Sequence, residues 1–273
     1  ILGLNHTHPE RTKQTFPPRI PLMDLFRANC TLNSRYPAGE LLPPRDPGLR
    51  TSTIPNYGSF LASRFTREPV NIAALREAAE VHRQVRRYVQ QFIRPGLPLL
   101  EIARRIEQTS AYLIKRPSEG GLKRGWGFPT GLSVNHIAAH HTPNYHQRDH
   151  ILRYSDVLKV DFGTQVDGWI VDSAFTVAFD PRHDALLNAV KEATEAGIRT
   201  MGIGVTLGEV GAAIQRVMES KFARLRNVAD ARGAKGGGDV GGPSTRVRCV
   251  QNLCGHTIRR YMIHGGKSVP IIA

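Results

Sequence analysis

Two apolar runs rich in valine, isoleucine and phenylalanine lie near the middle of the chain, at 157–163 and 168–175. Runs of this length and composition are typical of buried strands. The chain passes between them through 164–168, which ends in an Asp-Gly pair, a strong signal for a hairpin turn. The pattern therefore predicts an antiparallel hairpin. Each run carries one carboxylate among its apolar residues, Asp161 in the first and Asp172 in the second.

The register of the hairpin decides how the two carboxylates face each other. If the two-residue loop is Val166-Asp167, Asp161 lies directly opposite Asp172. If the loop is Asp167-Gly168, Asp161 faces Ala174 and Asp172 is its diagonal neighbour. Because side chains alternate between the faces of a strand, both registers place the two carboxylates on one face.

Two carboxylates at such short range need a compensating charge. Like charges placed opposite each other on a sheet repel, and burying an unpaired carboxylate is costlier still. A cation between them would remove both costs, and a divalent metal is the simplest candidate. The alternative is that one aspartate caps a turn while the other is solvated, and spacing alone leaves both interpretations open.

The spacing of apolar residues predicts four helices, two before the hairpin and two after it. The first pair covers residues 71–93, with Asn71 as the N-cap, and 99–114. The second pair covers residues 184–200 and 206–222. The candidate buried positions of the third helix are Leu187, Val190, Ala193 and Ile198.

The second and fourth helices begin with similar sequences, which indicates an internal duplication. Residues 96–106 read Gly-Leu-Pro-Leu-Leu-Glu-Ile-x-x-x-Ile, and residues 204–214 read Gly-Val-Thr-Leu-Gly-Glu-Val-x-x-x-Ile. A repeated set of helix, turn, helix and strands predicts an α/β (α+β) fold with two similar halves facing each other across a central cleft.

The flanking segments differ from this core in composition. Residues 1–70 are rich in proline, arginine and threonine, and we expect them to form an extended arm before a main domain at 71–273. Within that domain, the glycine-rich stretch at about 228–243 predicts an inserted flexible loop, followed by a strand at 247–253.

Composition and charge narrow the class of protein. The chain has 273 residues, 40% of them hydrophobic, and it contains no apolar run long enough to predict a transmembrane helix, so we expect no membrane partner. Three cysteines are too few for a disulfide framework, which favours a cytoplasmic setting. The net charge of +14 attracts polyanions, although no aromatic-interleaved basic motif predicts a specific DNA site.

Several motifs, in order, resemble those of the type 2 methionine aminopeptidases, in the metallopeptidase superfamily with the pita-bread fold. The resemblance covers 72–272 well and 14–28 weakly. The motifs are Phe-Pro-Thr-Gly at 128–131, Asn-His-x-Ala-Ala-His-x-Thr-Pro-Asn at 135–144, Lys-Val-Asp-Phe-Gly at 159–163, Asp-x-Ala-Phe-Thr-Val at 172–177, and Asn-Leu-Cys-Gly-His-Thr-Ile at 252–258, followed by His264.

The resemblance implies an activity. It implies removal of the initiator methionine from nascent proteins when the next residue is small, by a hydroxide activated on two divalent metal ions (Mn²⁺, Co²⁺, Fe²⁺ or Zn²⁺). The partner would be a nascent peptide with an N-terminal methionine, with possible association with the ribosome, and we expect a monomer.

The resemblance also implies a role for each site residue. Asp161 would ligate one metal, Asp172 would bridge both, and His256 would ligate the other. His140 and His264 would be the catalytic and substrate-binding histidines, which hydrogen-bond the substrate amide and help to stabilise the tetrahedral intermediate.

The chain departs from the family at two places. The family completes its metal site with two later glutamates, and no Asp or Glu follows Asp239 here, so we expect the C-terminal part to be missing and this chain alone to be inactive. Cys254 stands where the family usually has Asn, and we expect its thiol to point away from the face of His256. The alternative function is a catalytically inactive pita-bread module that binds ribosome or RNA.

Overall fold

The predicted hairpin forms the centre of a four-stranded antiparallel sheet. The computed structural model describes residues 14–26, 36, 69–117, 122–202, 204–231 and 248–273. In it, β3 (Val157–Val166) and β4 (Trp169–Ala178) pair along their whole length, while β1 (Arg124–Trp126) and β2 (Gly131–Val134) pair with the other edge of β3. The hairpin prediction is confirmed.

The turn of the hairpin is the Asp167-Gly168 pair. Val166 pairs with Trp169, so Asp167 and Gly168 form the two-residue loop. Both have positive φ, 50° for Asp167 and 80° for Gly168. Positive φ at both central positions is the requirement of a type I′ turn, which Asp-Gly satisfies with little strain. Of the two registers considered, the one with Asp161 facing Ala174 is therefore present, and the one with a Val166-Asp167 loop is excluded.

Two helices pack on one face of this sheet. They are α2 (Ile72–Phe92) and α3 (Leu99–Leu113), which confirm the first two helix predictions to within a residue at each end. Asn71 caps α2, since its side-chain oxygen accepts a hydrogen bond from the Ala74 amide at 3.0 Å. The core lies between the helices and the sheet and includes Val81, Val85, Leu99, Ile102, Leu132, Leu158, Val160 and Phe162.

Part of the N-terminal arm joins this core. The short helix α1 (Leu22–Leu25) buries Leu22, Leu25 and the following Phe26, and the Gln14 side chain donates to the Gln84 side chain of α2 at 2.9 Å. The rest of the predicted arm at 1–70, apart from Tyr36 and 69–70, lies outside the described residues.

The chain divides into two units. The described residues up to Pro181, together with 258–265, form the first unit, and the other described residues after Pro181 form the second. The second unit contains α4 (Asp184–Thr200), α5 (Leu207–Ala231), β5 (Cys254–His256) and β6 (Ser268–Pro270), with β5 and β6 antiparallel. No helix among the described residues is long and apolar enough to cross a membrane.

The second unit corrects three expectations. Helix α5 continues to Ala231 and so includes the start of the predicted loop, because 223–231 are mostly good helix formers; the rest of that loop lies outside the described residues. The strand predicted at 247–253 is wrong, since 248–250 are irregular and a turn follows at 251–252. The buried face of α4 consists of the small residues Ala189, Ala193 and Gly197, whereas Val190 and Ile198 are exposed.

The predicted duplication is visible in the turns that precede the second helix of each pair. Gly96 before α3 has φ 91°, and Gly204 before α5 has φ 77°. This left-handed conformation favours glycine. The two halves of the repeat therefore use the same residue in the same conformation at the same place.

Candidate functional site

The two aspartates lie on one face of the β3–β4 hairpin. Asp161 pairs with Ala174 and Asp172 pairs with Gly163, so the two carboxylates are diagonal neighbours across the strands. Both residues are partly buried. Diagonal neighbours on a sheet lie about 7–8 Å apart, within reach of side chains that converge on a shared ion.

Glycines leave room beside both carboxylates. Gly131 of β2 pairs with Asp161, and a Cβ there would come within 3.4 Å of the Asp161 Cβ. Gly163 pairs with Asp172, and a Cβ there would overlap the ring of Phe128. The aromatic ring of the Phe-Pro-Thr-Gly motif thus lies on the same face of the hairpin as the aspartates.

Lys159 shares this face and was not predicted from the sequence. It lies two residues before Asp161 on β3, and its ammonium donates to the Asn135 backbone oxygen at 2.7 Å. Burial lowers the pKa of this ammonium. The alternation of the strand was the signal that could have found it.

The loop that carries His140 is fixed to β2 by its neighbour. The His141 ring nitrogen Nδ1 lies 2.8 Å from the Leu132 oxygen, and the Leu132 amide donates to the His141 oxygen at 2.7 Å. Leu132 follows Gly131, the partner of Asp161, so the loop is anchored beside the aspartate strand. His140 itself is exposed and has φ 66°, a left-handed conformation. His141 therefore has the supporting role, and His140 is available to a ligand.

The segment that carries His264 belongs to the same unit. Within 258–265, the Tyr261 amide donates to the Gly168 oxygen at 2.8 Å, and the Arg260 Nε donates to the Asp167 oxygen at 2.7 Å. The segment is therefore attached to the turn of the aspartate hairpin. His264 is exposed at the end of this segment.

His256 lies in the second unit, on β5, and its position relative to the aspartates stays a prediction. Its Nδ1 lies 3.3 Å from the Thr257 oxygen. Cys254 is two residues earlier on the same short strand and is exposed. Residues two apart on a strand share a face, so the expectation that the thiol points away from the face of His256 is wrong.

The carboxylate pair fits a divalent metal only in part. Carboxylate oxygens suit hard and borderline divalent ions. Within the described part of the chain, however, no three His, Cys, Asp or Glu side chains are grouped closely enough to hold a metal. The geometry of the first unit therefore supplies two oxygen ligands, and the role of His256 as the third stays a prediction.

Behind the hairpin lies a functional candidate that sequence reasoning missed. His82 of α2 is 4% exposed, and its ring stacks on Phe162 with 4.1 Å between ring centroids. Its Nε2 lies close to backbone oxygens of both β3 and β4. The available signal was a histidine within the apolar stripe of the first predicted helix, since such a residue needs a buried hydrogen-bond partner.

The solved structures that this chain is similar to share its fold. The methionine aminopeptidase of Thermotoga maritima aligns with a TM-score of 0.54 at 20% identity, over 76% of this chain and 73% of that one. The prolidase of Pyrococcus furiosus aligns with a TM-score of 0.52 at 13% identity, over 78% and 54%. The predicted pita-bread fold is confirmed.

Sequence comparison gives closer relatives. The chain is 44% identical to methionine aminopeptidase 2-2 of Emericella nidulans over 95% of its own length and 53% of the relative's. It is 45% identical to methionine aminopeptidase 2 of Dictyostelium discoideum, over 97% and 54%. The chain thus spans about half the length of these curated relatives.

The sequence model of metallopeptidase family M24 matches residues 73–273, which include both aspartates and all three predicted site histidines. The match covers well over half of the chain. Proteins of this family use divalent metal ions, in agreement with the carboxylate pair. The chain belongs to metallopeptidase family M24.

Proposed function

We propose that this chain carries active-site residues of a metallo-aminopeptidase that removes the initiator methionine from nascent proteins. The observation that carries the proposal is the pair of carboxylates, Asp161 and Asp172, on one face of the β3–β4 hairpin. The relatives named methionine aminopeptidase 2 support the choice of substrate within the family.

Each site residue has a proposed role. Asp161 would hold one divalent ion, Asp172 would hold both of two, and His256 would hold the second. Mn²⁺, Co²⁺, Fe²⁺ and Zn²⁺ all suit carboxylate and imidazole ligands. When bound, such ions polarise a peptide carbonyl and lower the pKa of water.

Two of the exposed histidines of the first unit contact the substrate in this proposal. His140 and His264 hydrogen-bond the amide of the scissile peptide, and they stabilise the charge that develops on it during hydrolysis. Their exposure leaves them open to a peptide, and the anchoring of both segments, by His141 and by Tyr261, restricts where they can lie.

The proposal also includes the substrate, the oligomeric state and the cellular location. A peptide with an N-terminal methionine and a small second residue is the substrate. The proposed enzyme is a monomer. It acts in the cytoplasm on nascent chains near the ribosome.

Substitution of the aspartates tests the metal assignment. In a full-length protein, we expect Asp172→Asn and Asp161→Asn each to abolish methionine release. The loss of metal should be greater in Asp172→Asn, because that carboxylate would hold both ions. Asp167→Asn is the matched control: it removes a carboxylate from the same hairpin, and Asn also tolerates the left-handed turn conformation. Metal per protein is measured by inductively coupled plasma mass spectrometry, and unchanged stoichiometry in Asp172→Asn would contradict the bridging role.

The charge of the chain favours a second candidate function. With a net charge of +14, the protein suits a polyanionic partner. The candidate is a module that binds ribosome or RNA without hydrolysing peptides. The two functions separate cleanly, because only the first depends on Asp161 and Asp172.

A further inference from the structure

One buried histidine holds both strands of the aspartate hairpin. The Nε2 of His82 lies 3.0 Å from the backbone oxygen of Phe162 and 3.2 Å from that of Ser173. Both partners can only accept, so Nε2 carries the hydrogen and donates to both oxygens. Phe162 and Ser173 are also register partners in the sheet. A single N–H group therefore spans β3 and β4 from the side of α2.

The two carbonyl groups adjoin the two aspartates. Phe162 directly follows Asp161, and Ser173 directly follows Asp172. Because side chains alternate along a strand, the aspartates project from the face of the hairpin opposite to that of Phe162. The histidine thus holds the backbone one residue beyond each carboxylate without occupying the face on which they lie.

The histidine is itself held in one orientation. Its ring lies almost parallel to that of Phe162, with an interplanar angle of 8° and 4.1 Å between centroids. Its pKa is lowered to about 4, mainly by burial and in part by the nearby Arg86 cation, against the raising effect of the Phe162 and Ser173 carbonyl groups. The imidazole is therefore neutral near pH 7, with its hydrogen committed to Nε2.

We propose that His82 is a positioning residue that sets the spacing of Asp161 and Asp172 from behind the hairpin. The proposal rests on the proposed function, in which those carboxylates ligate metal. Two strands of a hairpin can twist and shear against each other, and that motion changes the separation of diagonal side chains. A shared donor opposes it. Residues that orient metal ligands in this way typically change metal affinity by about 10–100-fold when they are removed.

Three variants separate the donor from the ring and from general packing. His82→Phe keeps an aromatic ring against Phe162 and removes the donor. His82→Gln removes the ring and keeps an amide that can donate to two oxygens. Thr164→Val is the matched control, because the Thr164 hydroxyl donates to the Ala78 oxygen at 2.8 Å and so provides another buried bond between the same helix and strand.

The first measurement is Co²⁺ binding by isothermal titration calorimetry. We expect the dissociation constant to rise about tenfold or more in His82→Phe. It should stay within about threefold of the wild-type value in His82→Gln and Thr164→Val, because neither removes the shared donor. An unchanged constant in folded His82→Phe, or a loss in Thr164→Val as large as in His82→Phe, would overturn the proposal. If His82→Phe does not fold, His82→Gln decides, and a tenfold loss there overturns it.

The second measurement is amide hydrogen exchange in the metal-free protein. Amides of β3 and β4 should exchange faster in His82→Phe than in the wild type or His82→Gln, and unchanged exchange would count against the shared donor. Failure of the proposed function looks different. In that case the wild type binds no Co²⁺ or Asp172→Asn binds it unchanged, and the exchange result still decides whether His82 couples the strands.

Discussion

At the scale of single residues, glycine at position 163 allows an aromatic ring to lie beside the two aspartates. The space that a Cβ would take at Gly163 is filled by Phe128. A larger residue at 163 would displace either the Phe128 ring or β3 itself at the point where it pairs with Asp172. The identity of this residue is thus determined by its neighbour across the site rather than by a turn.

We expect Gly163→Ala to lower the free energy of unfolding by about 1–3 kcal/mol, the usual cost of overpacking a filled site. Gly255→Ala is a matched control, since a Cβ there would meet Val269 at an ordinary 3.5 Å. Urea denaturation of the two variants is the measurement. Equal stability would show that the Phe128 ring moves without cost.

The exposed histidine of the loop after β2 gives a second prediction at this scale. His140→Asn should lower turnover by about 10²-fold or more, the usual effect of removing a group that acts on the reacting amide. Asn is chosen because it tolerates the left-handed conformation at this position better than Ala does. Metal content should stay at the wild-type level.

His146→Asn serves as the control for this loop, because His146 is also exposed but has no assigned role. Steady-state kinetics on a Met-Gly peptide and metal analysis, both with the full-length protein, give the two readouts. Loss of metal in His140→Asn would show that His140 is a metal ligand rather than a substrate-binding residue.

Part of the site could be predicted at the residue scale, and part could not. The placement of Asp161 and Asp172 on one face depends on a short hairpin, so alternation and a turn signal were enough. The bonds of His82 join residues that are 80 and 91 positions apart. They depend on how a helix packs on a sheet, which no local pattern encodes.

At the scale of elements, the hairpin and the first three helices follow their predicted positions, whereas the fourth helix continues past 222 to Ala231. Hydrophobic periodicity was the main signal for the helices, and Asn71 caps the first of them. The predicted strand at 247–253 fails because strand formation requires a partner as well as propensity, and β6 pairs with Cys254–His256 instead. The prediction that Val190 and Ile198 of α4 are buried is also wrong. The helix packs through its small residues, since Gly197 allows the close approach of Ile214 of α5.

The contact of α2 with the hairpin predicts a pH dependence of stability. The pKa of His82 is about 4 in the fold and near 6.5 in an ordinary exposed imidazole. As the pH falls from 6.5 to 4, the unfolded chain binds a proton that the folded chain does not, so the free energy of unfolding decreases. The full effect is about 3 kcal/mol and is absent near pH 7.

Because Gln does not titrate, His82→Gln should lose up to about 3 kcal/mol less than the wild type between pH 7 and pH 4. Urea denaturation of the metal-free proteins at both pH values measures the difference. The carboxylates and the other histidines are present in both proteins, so their contributions to the change in unfolding free energy cancel in the comparison. Parallel pH profiles would show that His82 is protonated in the folded state.

At the scale of the whole molecule, the chain is strongly basic, with a net charge of +14. Charge of this magnitude acts over the surface as a field and attracts polyanions without a specific site. Peptide hydrolysis does not require it. The charge and the aspartate hairpin are therefore separable properties of one chain.

We expect the protein to bind single-stranded RNA at low ionic strength and to release it as salt rises, since binding releases counterions from the phosphates. Fluorescence anisotropy of a labelled oligouridylate across a salt series is the measurement. Asp172→Asn should bind RNA as the wild type does while losing methionine release. Absence of binding at 50 mM salt would remove the support for an RNA-binding function.

The attachment of Arg260 and Tyr261 to the turn of the aspartate hairpin has a consequence for synthesis. The Arg260 side chain and the Asp167 oxygen are 93 residues apart, and α4, α5 and β5 are all translated between them. During translation, α2, α3 and the hairpin leave the ribosome before the segment between the hairpin and Arg260 has been synthesised. The bonds of Arg260 and Tyr261 to the turn can form only after 260 and 261 have left the ribosome. A nascent chain stalled before that point therefore presents the two aspartates on a hairpin whose tip lacks these two bonds.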